Sequence, residues 1–123
     1  MISGATAAAL AFAGLGVGHL VQADATTGLA LEWIPMRSLL SPATALLEFA
    51  LAAGFLFRAT RSHAGWIAVA FLIAIFAANV YASPMEPVPL ELGVAIQGLL
   101  VALIYVSCVS PPVVPSIRSA SLN

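Results

Sequence analysis

The chain has 123 residues, 62% of them hydrophobic and 7% charged, with a mean hydropathy of +1.08 and a formal net charge of −1. A soluble domain carries about 25% charged residues, so this chain has too few to cover a water-facing surface, and lipid is the solvent its composition fits. The near-zero charge leaves no basic footprint for nucleic acid, and the single cysteine, Cys108, excludes an intrachain disulfide, a Cys-x-x-Cys redox pair and a thiolate metal cage.

A helix that crosses a bilayer needs about 20 mostly apolar residues. Segments at about 4–21, 39–57, 65–82 and 90–109 meet that need. They predict an all-α, four-transmembrane-helix bundle over residues 1–109, followed by a flexible Pro/Ser-rich cytoplasmic tail over 110–123. Unbroken apolarity without alternation argues against a transmembrane barrel, and the wealth of Ala, Leu and Gly suits close helix packing in lipid.

The first segment contains Gly14-x-x-x-Gly18, a small-xxx-small pattern read here as a packing surface, and closes on His19. The "VQADA" that follows offers an Ala-x-Ala cleavage pattern, but residues 1–4 carry no basic side chain, so the segment is expected to stay as a span. Ala23 to Arg37 is a polar connection. The second segment, "TALLEFALAAG", is apolar except for Thr44 at its edge and Glu48 near its centre. An ionised carboxylate in an apolar medium costs several kcal/mol unless it is paired, hydrogen-bonded or protonated. Glu48 therefore needs a role or a partner.

"RATRSHA", Arg58 to Ala64, reads as a short basic loop. The third segment ends near Asn79, and "SPMEPVP", Ser83 to Pro89, holds three prolines that stop a helix. The fourth segment carries Gln97. Arg58, Arg61 and Arg118 lie on one side of this arrangement, whereas Asp24, Glu32, Glu86 and Glu91 face only Arg37 on the other. The excess of arginine places both termini and the 58–64 loop in the cytoplasm. Trp33, Trp66 and Tyr81 fall at span ends, where an interfacial aromatic belt would place them.

Each span thus carries one or two residues that lipid would not select, His19, Glu48, Asn79 and Gln97 among them. At 1.5 Å per residue, Glu48 lies near the midplane, Gln97 about 5 Å outward, Asn79 about 8 Å and His19 about 9 Å. All four are expected in one layer of the external half, as a single polar cluster. His19 is the natural partner of Glu48, and the two make a candidate catalytic pair able to exchange a proton near neutral pH. Small neighbours, Ala45 and Ala52 around Glu48 and Gly16 beside His19, leave room for that contact. Asn79 and Gln97 are candidate ligand-binding residues. The plainer alternatives are that these two amides are interhelical hydrogen-bond glue, worth about 0.6 kcal/mol each, and that His19 is an interfacial residue at a helix end. No set of side chains suggests an intrinsic metal or haem site.

The runs "GVGHLVQ" (16–22), "ALLEFALAAGFLFRATRSHAGW" (45–66), "FAANVYAS" (76–83) and "LELGVAIQGLLVALIY" (90–105) together resemble the DoxX-like family. The resemblance covers most of the chain. It implies a small four-helix integral membrane protein, and some such proteins are linked with membrane redox systems, including quinone-linked sulfur oxidation beside other subunits. Three readings follow. In the first, the chain is an accessory subunit of a membrane redox or stress-response system, partnered by a membrane oxidoreductase, with a quinone-binding polar pocket. In the second, it is a stand-alone enzyme in which Glu48 and His19 do acid/base chemistry (isomerisation, cyclisation or epoxide opening) on a lipophilic small molecule. In the third, it is a packing or transport module whose polar residues only hold helices together.

Overall fold

Ser3 starts the first helix: its Oγ accepts a hydrogen bond from the Thr6 N–H at 3.2 Å, satisfying one of the donors that every helix N-terminus leaves open. The structure, a computed structural model, describes residues 1–23, 35–82 and 89–110. These form α1 (Gly4–Val21), a 3₁₀ turn at Arg37–Leu39, α2 (Leu40–Leu56), α3 (Arg61–Ala82) and α4 (Leu90–Ile104), the last continued by a π-helical turn at Tyr105–Val109. The described chain is all-helical. The sequence expectations for Trp33 and for the tail beyond Ser110 lie outside the described residues, as do most of both polar connections.

The α2–α3 connection is tighter than the sequence implies. Phe57 turns extended and only residues 57–60 lie outside helix, with Arg61 already in α3, where the basic loop was expected to run to Ala64. The reason is local hydrogen bonding. A helix end leaves carbonyls without partners, and here side chains take them: Thr60 Oγ1 donates to Gly54 O at 3.0 Å, and Arg61 donates from Nε to Phe55 O at 2.8 Å.

Residue pairs between helices run in opposite directions, so sequential helices are antiparallel. Ser41 meets His19, Phe49 meets Gly16, and Phe55 packs edge-to-face on Phe12 with ring centroids 5.3 Å apart. Between α3 and the end of α4, Trp66 packs on Tyr105 and Gly65 lies against Cys108 and Val109. The core is made of small and aromatic side chains, with Ala5, Ala8, Phe12, Phe55, Ala68 and Ile104 among its buried members. Small residues bring the backbones close: a methyl group built on Gly54 would sit 2.8 Å from the Ala64 Cβ. Gly14 and Gly18 take no part in this, since nothing lies within 4 Å of a Cβ at either position.

The outer surface is apolar. Leu10, Leu46, Ile67, Ile73, Leu99 and Val106 are all exposed, a distribution that a water-soluble monomer does not tolerate over so much of its surface. Gly4–Val21, Arg61–Ala78 and Glu91–Val109 are long and apolar enough to cross a membrane. Leu40–Leu56 is also apolar but shorter, at 17 residues.

Candidate functional site

Glu48 occupies the middle of α2 and His19 the last turn of α1. A depth difference of about 9 Å would separate them if their side chains stood perpendicular to the helices. They do not, because in a helix each Cα–Cβ bond tilts toward that helix's own N-terminus. In an antiparallel pair this tilts His19 back along α1 and Glu48 back along α2, each toward the other. The result is a hydrogen bond of 2.8 Å between His19 Nδ1 and Glu48 Oε2, with the glutamate side chain 2% exposed and the imidazole 26% exposed.

Two further contacts hold the imidazole residue. Nδ1 is also 3.2 Å from Leu15 O, one turn back in α1. The hydroxyl of Ser41, which is fully buried, donates to the main-chain carbonyl of His19 at 2.5 Å. That carbonyl is one of those a helix C-terminus leaves without an intrahelical partner. Sequence reasoning missed Ser41, although the signal was there: seven residues before Glu48, two helical turns, it shares the glutamate's face of α2.

The small residues around Glu48 behave as expected, with Ala45 and Ala52 both buried. Gly16 serves a different purpose. A Cβ there would meet the Phe49 ring at 3.0 Å, so the glycine admits an aromatic ring from α2 rather than clearing space for the imidazole directly.

The structure divides the expected four-residue cluster. Gln97 is buried, but its Nε2 donates to the backbone carbonyl of Leu72 in α3, and no hydrogen bond among the described residues links it to His19 or Glu48. Its partner is a backbone carbonyl across the α3–α4 interface, and such a group is available at every turn whereas a polar side chain is not. Asn79 lies on α3, and its side chain lies outside the described residues, as does that of Tyr81. Among the described residues, no group of three or more His, Cys, Asp or Glu could hold a metal ion.

A family profile described as a domain of unknown function, DUF8561, matches residues 7–106. The chain belongs to the DUF8561 family. The matched range takes in most of α1, all of α2 and α3, and α4 into its π turn, so the His19–Glu48 contact lies wholly within the DUF8561 domain. No curated protein and no solved structure matches the chain.

Proposed function

We propose that the chain is a four-span integral membrane protein whose His19–Glu48 pair binds the polar head group of a lipophilic, quinone-like ligand, in the service of a membrane redox or stress-response system. The observation that carries this reading is Glu48 itself: a carboxylate 2% exposed, at the centre of an apolar helix, held by an imidazole that keeps an exposed edge. An ionisable pair in such surroundings is costly, and in membrane proteins it marks a functional site more often than a structural one.

α2 takes its place as the fourth span. Its 17 residues give about 26 Å at 1.5 Å per residue, the lower end of what a bilayer core requires. Arginine placement puts the 57–60 turn and both termini in the cytoplasm, and the His19–Glu48 pair in the outer half. The redox association, with an oxidoreductase subunit as partner and quinone as ligand, comes from the DoxX-like resemblance.

The exposed imidazole edge also favours the second reading, an enzyme that uses the pair as acid and base on a lipophilic substrate. One experiment separates the two. The protein is purified in mild detergent, and co-purifying proteins and lipids are identified by mass spectrometry. A quinone together with an oxidoreductase subunit supports the first reading. A lone lipophilic compound of another class supports the second. If neither appears, and Glu48→Gln leaves the cellular phenotype unchanged, the packing module remains.

A further inference from the structure

Two arginines three residues apart at the α2–α3 connection are used differently. Arg61 turns back on α2: its Nε donates to Phe55 O at 2.8 Å and its Nη2 to Leu56 O at 3.3 Å, so its guanidinium closes carbonyls that the helix end leaves open. Arg58 is exposed, as is His63 in the first turn of α3, and among the described residues neither makes a hydrogen bond or an ion pair. No described acid stands nearby. Glu48 is buried against His19, and Glu91 opens α4 at the end opposite to Cys108 and Val109, which pack on Gly65. This end of the bundle therefore presents positive charge without a partner.

The apolar residues around that charge fix its depth. Phe57 and Trp66 are exposed, and Trp66, three residues after His63 and so on the same side of α3, packs edge-to-face on the exposed Tyr105 with ring centroids 6.4 Å apart. Such aromatic rings settle where hydrocarbon meets head groups. The length of α2 points the same way. Its 17 residues give about 26 Å against a hydrocarbon core of about 30 Å, so the turn is not carried clear of the lipid. An arginine at that depth has lipid head groups as its nearest partners.

We propose that the α2–α3 turn binds the phosphate of anionic phospholipids, with Arg58 and the His63 ring N–H as donors and Trp66 seated at the hydrocarbon boundary below them. Arg61 is committed to the α2 carbonyls and serves the fold. The choice of an anionic lipid follows from charge. A zwitterionic lipid brings its own cation beside the phosphate, whereas phosphatidylglycerol brings none, and each arginine near an anionic surface strengthens association about fivefold. Such binding requires the four-span arrangement proposed above and adds to it the class of lipid that meets this turn; His19 and Glu48 take no part in it.

The test uses the full chain in mild detergent, offered phosphatidylglycerol and phosphatidylcholine of the same acyl chains in equal amounts, with retained lipids counted by native mass spectrometry. Flotation with vesicles of each lipid and the melting temperature are independent readouts. Phosphatidylglycerol should be retained about fivefold over phosphatidylcholine. The preference should fall toward unity when Arg58→Gln and His63→Gln are combined, with the melting temperature unchanged, and Arg58→Lys, which keeps the charge, should preserve it. Arg61→Gln should lower the melting temperature and leave the preference largely in place. Equal retention of the two lipids by the unsubstituted protein, or an unchanged preference in the double variant, overturns the inference and leaves the four-span arrangement standing. A loss of preference in Arg61→Gln with no change in melting temperature overturns the division of roles between the arginines. Failure to float with vesicles of either lipid overturns the four-span arrangement itself.

Discussion

Ser41 and Glu48 hold the same residue of α1 from two positions, seven residues apart, on one face of α2. The hydroxyl takes the main-chain carbonyl of His19 at 2.5 Å, and the carboxylate takes its imidazole at 2.8 Å. The backbone end of His19 and its ring are therefore anchored two turns apart on α2, which ties the end of α1 to both the start and the middle of its neighbour.

Removing the carboxylate should cost more than neutralising it. Glu48→Ala strands the imidazole and leaves a cavity, for an expected loss of about 3 kcal/mol. Glu48→Gln keeps a hydrogen-bonding group and should lose about 1 kcal/mol. Thermal stability in detergent, measured for both variants with and without His19→Ala, yields the coupling. We expect about 1 kcal/mol, above the ~0.6 kcal/mol typical of membrane hydrogen bonds; additive effects would show that the two residues do not interact.

Ser41→Ala should destabilise by about 1 kcal/mol, because the His19 carbonyl then lacks its donor in a setting where water is scarce. Ser41→Val should be worse than Ser41→Ala, since the position is fully buried and an added methyl has no space. The same thermal measurement decides, and equal stability of all three proteins would remove Ser41 from the site.

The three glycines at the end of α1 should respond in opposite directions. Gly16→Ala places a methyl 3.0 Å from the Phe49 ring and should cost about 1–3 kcal/mol. Gly14→Ala and Gly18→Ala meet nothing within 4 Å, and each should gain up to about 1 kcal/mol of helix propensity. Loss of stability in the latter two would mean that another surface packs on them.

The orientation is open to chemical labelling. In a Cys108→Ala background, a membrane-impermeant thiol reagent added outside should reach a cysteine at Thr27 or Glu86 and miss one at Ser62. The reverse pattern would invert the topology while leaving the helices and the His19–Glu48 contact as they are.

Met36 precedes the 3₁₀ turn with φ of 56°, a left-handed conformation that costs a side chain with a Cβ about 1 kcal/mol. Met36→Gly should relieve part of that cost and raise the melting temperature in detergent. A fall in the melting temperature would show that the methionine side chain contributes more than its backbone strain removes.

The helices and the singular position of Glu48 were legible in the sequence because they depend on local properties. Solvent and length select long apolar runs, proline and polar clusters end them, and a carboxylate inside such a run stands out wherever the run packs. His19 could be named as its partner because, of the three polar residues expected in the same layer, it alone can carry a charge complementary to the carboxylate. What the sequence did not determine is which polar groups meet across an interface. That depends on how each helix rotates about its axis and how far it slides along its neighbour, and those are decided by packing: Phe49 entering the space above Gly16, Phe12 meeting Phe55, Gly54 closing on Ala64. Gln97 lies at nearly the right depth to join Glu48, yet α4 turns it to the Leu72 carbonyl. Ser41, unremarkable in a list of residues, enters the site because α2 packs with the same face that carries Glu48 against the end of α1.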